Sequence, residues 1–524
     1  MKKRILAAIF LLALFLRFWN LASYPEAIDE DEMALGYYGH SLLKNGTDEY
    51  GNKFPIYFES GGDYKYGLYS YFATIPVSLF GLSTASTRSV AALAGAMSVV
   101  VIHFLAKEIF DKEKYALASA FVLAVNPTHI HFSRVAYNNV LGAFFGILSV
   151  LFLIRWFKKA TKKRLILLSV FFILSIFSYQ AYRIYMPATF ILLFAVFFGK
   201  LTRKKRLQAA GITITSVAVV VLSLIPAESR ARSQNYSLLI NEPKLIEQFT
   251  EDSLAGSKIF ETRLFHNKVT AIGLGVAERY LSYFDPAFLF VRSAQATERH
   301  SIPDVGLFYL IGGLFFAIGA LFLFKTLGKE ERWIPPALLL GGPLAASLVV
   351  EPRSTIRSIV IVYAYALIIG LGIYTVLKIK KYSKIVLFLV GLFYLANFSY
   401  FAHQYLVHKV YHHPWYSDVG LRQMVDFVND NKGGYDAVVM SNGHYMPYLF
   451  YNKVDPREFI RNSEFAPNPK PDGVRVERYG KIRFNMPYKC PSAGKVDTLY
   501  VCFGYLVPKK AKLVDVIRFR DKQP

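Results

Sequence analysis

Long apolar runs constrain the fold of this chain more than any other feature of its sequence. A helix needs about 20 mostly apolar residues to cross the hydrocarbon core of a bilayer, and about eleven stretches approach this length. These stretches are 5–21, 88–107, 115–130, 138–157, 165–180, 184–199, 207–226, 304–324, 333–350, 358–377 and 384–402. With 54% hydrophobic residues over a length of 524, they predict an α-helical polytopic membrane protein.

The first apolar run is predicted to remain in the protein. Three basic residues, Lys2, Lys3 and Arg4, precede the apolar stretch 5–19, as they would in a secretory signal peptide. A small-residue cleavage pattern does not follow the stretch, so we expect an uncleaved first membrane span.

The basic residues between the apolar runs predict the orientation of the chain. Counting the spans alternately places all of the basic clusters on the same side. The clusters are Lys2, Lys3 and Arg4; Lys107, Lys112 and Lys114; Arg155, Lys158, Lys159, Lys162, Lys163 and Arg164; Lys200, Arg203, Lys204, Lys205 and Arg206; Lys325, Lys329 and Arg332; and Lys378, Lys380, Lys381 and Lys384. By the positive-inside rule the N-terminus is cytoplasmic and the C-terminus is outside. This rule accounts for the net charge of +24 without a nucleic-acid partner.

This topology predicts two domains. Residues 1–405 form the transmembrane domain, with a first outer loop at 22–87 and a large outer loop at 227–303. Residues 406–524 form a small extracytoplasmic α/β domain, because an amphipathic stretch at 418–430 is followed by a strand-like one at 437–440. We expect a prokaryotic plasma (inner) membrane protein whose active site faces the extracytoplasmic side.

The two cysteines, Cys490 and Cys502, lie in this C-terminal region. They are compatible with one disulfide in an oxidising compartment, and their number excludes a cysteine-rich zinc site.

Four consecutive carboxylates, Asp29 to Glu32, open the predicted helix 31–44. The apolar spacing of this helix suggests that it lies on the membrane surface and ends at Asn45-Gly46. Helix capping by Asp29, with Glu32 three residues later, explains two of the acids and leaves Glu30 as an exposed neighbour. Alternatively, Asp31 or Glu32 is a base or orients an acceptor at the membrane boundary. The local sequence leaves both interpretations open.

Four arginines lie in predicted outer connections, where the positive-inside rule disfavours them. They are Arg134, Arg183, Arg353 and Arg357. Any one of them could snorkel to the lipid headgroups or form an internal ion pair. Together, on the side that bears the acidic loop, they favour a phosphate or pyrophosphate ligand, because a guanidinium group stays charged and donates in a bidentate manner.

Other charged and aromatic residues on the outer loops are candidates for polar contacts. Asp63, Tyr64 and Lys65 lie in a tyrosine-dense segment of the first outer loop, where most of the tyrosines fit an interfacial aromatic belt. Arg299 and His300 lie on the large outer loop.

Two further candidates, His129 and His131, are two residues apart in the sequence. Side chains at this spacing do not meet on one helix face, so a metal site there would need other ligands.

The ordered set of motifs over roughly residues 1–405 resembles the GT-C glycosyltransferases of the protein O-mannosyltransferase and lipid A aminoarabinose transferase type (glycosyltransferase family 39 type). The matching motifs are Asp31-Glu32; Asp48-Glu49-Tyr50-Gly51 followed by Gly62-Asp63-Tyr64-Lys65; Asn126-Pro127 with Phe132-Ser133-Arg134; Tyr182-Arg183 before Pro187; the loop from Phe284-Asp285-Pro286 to Arg299-His300; and Arg353 with Arg357. Each motif is short, but their order is fairly specific.

The resemblance implies an inverting hexosyl- or pentosyltransferase. It would move a sugar from a polyprenyl-phosphate donor to a protein, lipid or glycan acceptor on the outer face of the membrane. The resemblance assigns the general base to Asp31, because the following Leu35-Gly36-Tyr37 keeps the family-like spacing, and it makes Glu32 an orienting partner.

Under the same resemblance, Arg183 binds the donor phosphate together with Arg134, Arg353 or Arg357. Acceptor or loop contacts fall to Asp63, Tyr64, Lys65, Arg299 and His300. No residue is assigned as a metal ligand, although a divalent ion such as Mg²⁺ or Mn²⁺ could assist.

Two other functional classes remain as alternatives. A transporter or flippase of lipid-linked sugars would use the same arginines to hold a headgroup, but transporters usually place ionisable residues near the membrane midplane and show paired halves. A membrane-anchored binding protein, active through its C-terminal region, would leave the outer arginines unexplained. Membrane lipids are partners in every case.

Overall fold

The computed structural model describes residues 2–60, 63–228, 244–293, 298–351, 353–379, 383–409, 411, 418–441, 444–467, 474–486, 490–491, 494–502 and 507–518. The chain divides into two compact units. The first, which we call the helical unit, contains Met1–Leu16, Gly95–Phe132 and Asn139–Gln404. The second, the mixed unit, contains Arg17–Ala94, Ser133–Asn138 and Tyr405–Pro524. The first outer loop and the C-terminal region therefore belong to the same unit.

The described helices and strands follow in chain order. They are α1 (Lys2–Phe18), α2 (Glu30–Asn45), β1 (Tyr57–Ser60), β2 (Asp63–Tyr66), α3 (Leu68–Phe80), α4 (Thr84–Ile109), α5 (Glu113–Ala124), α6 (Pro127–Ser133), α7 (Asn138–Lys158), α8 (Lys162–Ser178), α9 (Tyr182–Phe197), α10 (Arg203–Ser223), α11 (Lys244–Leu254), α12 (Ile259–Phe265), α13 (Lys268–Ser282), α14 (Pro286–Phe290), α15 (Leu310–Thr326), α16 (Ile334–Gly341), α17 (Leu344–Ser347), α18 (Thr355–Ser358), α19 (Ile361–Leu377), α20 (Ser383–His403), α21 (Leu421–Asn431), β3 (Ala437–Ser441), α22 (Tyr445–Asn452), α23 (Pro456–Asn462), β4 (Ser463–Phe465), β5 (Val476–Tyr479), β6 (Ile482–Met486) and β7 (Thr498–Tyr500).

Several described helices have the length and composition of membrane spans. Five of them are long and apolar enough: Thr84–Ile109, Asn138–Lys158, Tyr182–Lys200, Arg203–Ser223 and Lys384–His408. Shorter apolar helices occur at Leu68–Phe80, Leu310–Thr326 and Ile361–Leu377. The chain is thus a mostly helical membrane protein.

Two of the predicted spans are interrupted. The run 115–130 is divided into α5 and α6, with Pro127 as the first residue of α6. The run 333–350 is divided into α16 and α17 around Pro343. Proline cannot donate the backbone hydrogen bond that a continuous helix requires, so each helix ends before it.

The C-terminal part of the mixed unit is an α/β structure, as its sequence pattern predicts. Its five strands form one sheet in the order β4-β5-β6-β3-β7. Strand β3 is parallel to β6 and β7, whereas β4, β5 and β6 pair in antiparallel fashion. Cys490 and Cys502 form a disulfide with a Cα–Cα distance of 5.6 Å.

Helix α2 lies in the core of the mixed unit, so the prediction that it lies on a membrane surface is wrong. Tyr37 and Tyr38 are completely buried, and α2 packs against both α3 and α22. A Cβ atom on Gly36 would clash with the side chain of Thr87, so glycine permits this close approach. The helix is amphipathic, but protein covers its apolar side, and helix amphipathicity cannot distinguish the two environments.

Candidate functional site

The N-terminus of α2 is held by a side-chain cap. Asp29 is the N-cap residue, and its Oδ1 accepts a hydrogen bond of 2.9 Å from the backbone N–H of Glu32. The Tyr137 hydroxyl donates a second hydrogen bond to Asp29 Oδ2. The prediction that Asp29 caps the helix is therefore confirmed. These contacts fix the first turn of α2, which carries the carboxylates that follow Asp29.

The side chain of Glu32 forms a buried ion pair instead of completing a capping box. Arg88 Nε lies 2.8 Å from Glu32 Oε2, and Arg88 Nη2 lies 2.8 Å from Oε1. The backbone N–H of Ala136 donates a further bond of 2.6 Å to Oε2. Only 2% of the Glu32 side chain is exposed. The pair therefore ties the first turn of α2 to the N-terminal part of α4.

Arg88 also binds the chain that leads into α2. Its guanidinium group donates to the carbonyl oxygens of Pro25 at 2.9 Å, Leu21 at 3.3 Å and Ala27. Arg88 is the first residue of the predicted membrane span 88–107, and its role at the start of α2 was not predicted. A fifth arginine at the outer end of a predicted span was the signal that could have identified it.

Glu30 is not the exposed residue that the sequence suggested. Burial raises the pKa of its carboxyl group to about 8, and the negative charges of Asp418 and Asp31 add to this effect. The backbone N–H of Glu30 donates a hydrogen bond of 3.1 Å to Asp418 Oδ2. Two backbone N–H groups at the start of α2 are thus bound by carboxylates. Asp29 binds the N–H of Glu32, and Asp418 from the C-terminal region binds the N–H of Glu30.

Asp31 is a half-exposed carboxylate that forms an ion pair with a lysine of the first outer loop. Its Oδ1 lies 2.7 Å from Lys65 Nζ, and 48% of its side chain is exposed, against 11% for Lys65. Lys65 is held by the hairpin of β1 and β2, in which it pairs with Phe58, and the neighbouring Tyr64 pairs with Glu59. The side chain of Asp63 lies outside the described residues. Two of the predicted residues, Asp31 and Lys65, are therefore in direct contact.

Arg134 is almost completely buried in the mixed unit and binds the backbone. Its Nη2 atom donates to the carbonyl oxygens of Trp19 at 2.7 Å, Tyr24 at 3.1 Å and Asn20 at 3.4 Å. These bonds hold the turn that joins α1 to the chain before α2. Arg134 therefore has a structural role, in addition to the role in donor-phosphate binding that the resemblance implies.

Two arginines of the helical unit have acidic partners. Arg353 Nη2 lies 3.0 Å from Asp285 Oδ2. Arg357 pairs with Glu351 and donates a hydrogen bond of 2.7 Å to Ser354 Oγ. An internal ion pair thus compensates both charges, as the alternative interpretation of each single arginine allowed.

The other predicted residues of the helical unit lie in or next to its buried part. Arg183 is in the first turn of α9 and is 5% exposed. His131 Nε2 lies 3.0 Å from the carbonyl oxygen of Arg299, and the ring centre of His300 lies 5.9 Å from that of Phe132. The contact from His131 links the large outer loop to α6.

Within the described ranges, histidine, cysteine and acidic side chains do not form a group of three or more that could hold a metal ion.

Comparisons with known proteins match part of the chain to a family. Residues 68–226 match the family described as "Dolichyl-phosphate-mannose-protein mannosyltransferase". The Bacillus subtilis (strain 168) protein named "Putative mannosyltransferase YkcB" is 32% identical in a match of 177 residues that covers 32% of this chain and 24% of that protein. The chain thus covers a minor part of that relative's length.

Solved structures share the fold. The Archaeoglobus fulgidus oligosaccharyltransferase in the apo form has a TM-score of 0.53 at 13% identity, over 86% of this chain and 64% of that one. Oligosaccharyltransferase AglB of the same organism, in complex with an inhibitory peptide and a dolichol-phosphate, has a TM-score of 0.51 at 13% identity, over 86% and 63%. This chain spans less than two thirds of both structures. The resemblance to GT-C glycosyltransferases is confirmed.

Proposed function

We propose that this chain, a membrane protein of the GT-C glycosyltransferase type, transfers a sugar from a polyprenyl-phosphate donor to an acceptor on the outer face of the membrane. The observation that carries the proposal is Asp31, a half-exposed carboxylate at a capped helix N-terminus, paired with Lys65 at 2.7 Å. Support for the donor class comes from the matched family and from the dolichol-phosphate in the structure of AglB.

In the proposed reaction Asp31 is the general base. It takes the proton of the acceptor hydroxyl while that oxygen attacks the anomeric carbon of the sugar. The new C–O bond forms as the bond from the anomeric carbon to the phosphate oxygen breaks, so the configuration inverts. The lipid phosphate leaves with the electron pair of that bond. Lys65 supplies the counter-charge of Asp31, and Glu32 with Arg88 positions the helix turn that carries it.

The charge that develops on the departing lipid phosphate needs cationic donors. We assign this role first to Arg183, which lies in the first turn of α9 and which the family resemblance places at the donor phosphate. The secondary candidates for donor or acceptor contacts are Arg134, Arg353, Arg357 and the loop residues Asp63, Tyr64, Arg299 and His300.

Replacing Arg183 with alanine should lower the turnover of a polyprenyl-phosphate sugar by about 10- to 100-fold, the range expected for losing a charge-assisted hydrogen bond. Arg183→Lys should recover part of the loss, since lysine keeps the charge but lacks the bidentate fork. The matched control is Arg155→Ala, which removes an arginine that pairs with Glu108 and lies in a predicted cytoplasmic cluster. Turnover and donor binding are measured on protein in nanodiscs. Full activity and donor binding in Arg183→Ala would remove Arg183 from the donor site.

The function itself is tested by mass spectrometry of lipid-linked sugars and glycans in a strain that lacks the gene. We expect the donor to accumulate and one glycosylated product to disappear. Mannose is the first sugar to test, because the matched family and the B. subtilis relative both carry mannosyltransferase names. A flippase would instead change the membrane side on which the donor resides, without forming a new glycosidic bond in a purified system.

A further inference from the structure

Three consecutive helices of the helical unit, α11 to α13, expose an unusual number of large apolar side chains. Leu254 is 84% exposed and Phe260 is 75% exposed. The other large apolar residues of these helices that are more than half exposed are Ile246, Ile259, Leu264, Phe265, Val269, Leu274 and Leu281. Apolar patches of this kind on a protein surface mark a site that contacts another protein or a membrane.

Two exposed apolar side chains of α11 lie on one side of the helix. Ile246 and Phe249, three residues apart, share a helix face, and with Leu254 they border an open depression. Glu247 and Glu251, four residues apart, lie on the side of the helix away from Ile246 and Phe249. A short helix with separate apolar and charged sides is suited to lie in the plane of a membrane interface.

Helix α13 is attached to the helical unit by a side that carries small residues. Its small residues Ala271 and Gly275 are buried, and it packs against α17. The Tyr280 hydroxyl donates a bond of 2.9 Å to the carbonyl oxygen of Leu340. Leu274 and Leu281, seven residues apart on one face of the helix, are about two thirds exposed. The side of α13 that packs against the helical unit therefore carries small residues, and its exposed side carries large apolar residues.

A side-chain contact joins the first helix of this segment to the end of the second. Asp252 Oδ2 of α11 lies 2.7 Å from Nδ1 of His266, the residue that follows α12. Because of this contact, the apolar side chains of α11 and α12 belong to one structure that continues into α13.

We propose that the α11–α13 segment is an interfacial anchor whose apolar side chains lie among the acyl chains at the boundary of the bilayer. In the chain, the segment lies between two apolar helices, α10 and α15. The lipid that surrounds those helices should therefore also cover the exposed apolar side chains of the segment. Residues 244–282 contain five basic and five acidic residues. Insertion should therefore depend on apolar area and be insensitive to anionic lipid and to salt.

The test uses the full chain in phosphatidylcholine nanodiscs, with an environment-sensitive fluorophore on an introduced cysteine. The native cysteines form a disulfide and do not compete for the label. The variants are Phe260→Cys and Leu274→Cys, and Glu251→Cys on the polar side of α11 is the matched control. We expect at least about twofold stronger quenching by acyl-chain nitroxides at 260 and 274 than at 251, since interfacial helices place their apolar side about 5–10 Å into the boundary region.

Three results would overturn the proposal. Quenching by aqueous iodide at 260 and 274 as strong as at 251 would place these positions in water. Protection from both nitroxide and iodide would mean that protein covers them. The pattern should stay the same when phosphatidylglycerol is added, and a strong requirement for that lipid would contradict insertion through apolar area. The measurement needs no sugar transfer, so it is independent of the proposed enzyme activity.

Discussion

Replacing Asp31 with asparagine should abolish sugar transfer and leave the protein folded. Asparagine has nearly the same shape as aspartate but cannot accept the proton of the acceptor hydroxyl, and loss of a positioned general base typically lowers the rate about 10²- to 10⁴-fold. The Asp31 side chain, which pairs with Lys65, is half exposed. Loss of this ion pair should therefore change the free energy of unfolding by less than about 1 kcal/mol. Turnover of a polyprenyl-phosphate sugar in membranes is the measurement.

The matched control for this prediction is Asp29→Asn. Asparagine caps a helix about as well as aspartate does, so this variant keeps the hydrogen bond to the Glu32 N–H and should remain active. If Asp31→Asn transferred sugar normally while Asp29→Asn was inactive, the base would be Asp29 and the assignment drawn from the motif would be wrong. The two variants therefore distinguish Asp29 from Asp31, two acids of one run that the sequence alone could not distinguish.

The local features of the site were predictable because they depend on neighbouring residues. The predicted helix 31–44 is observed as Glu30–Asn45, Asp29 caps it, and Gly46 ends it in the left-handed conformation with φ of 69°. Capping side chains and glycine at a helix end act within one turn, so a short stretch of sequence contains the information.

The surroundings of the helix could not be predicted in the same way. Its partner α22 comes some 400 residues later in the chain, and an apolar helix face looks the same whether protein or lipid covers it. The acidic partner of Arg353 is likewise distant, since Asp285 lies 68 residues away. Glu351 is only six residues from Arg357, and there the acid-arginine pair was visible in the sequence but not recognised as a contact.

The largest loss of stability in the mixed unit should come from replacing Arg88 with methionine. This variant leaves the Glu32 carboxylate buried without a counter-charge, and removing one partner of a buried ion pair costs about 3–5 kcal/mol. It also removes the donors to the carbonyl oxygens of Leu21, Pro25 and Ala27. The temperature of thermal unfolding, measured on purified protein in detergent, should fall sharply.

A second variant separates the effect of the buried charge from the loss of hydrogen bonds. In Arg88→Met with Glu32→Leu the uncompensated charge is gone, so part of the stability should return. Recovery should be incomplete, because the Ala136 N–H and the three carbonyl oxygens still lack partners. Equal unfolding temperatures for the single variant and the original protein would show that the pair contributes nothing. A folded double variant with low turnover and normal donor binding would identify Glu32 and Arg88 as residues that position Asp31.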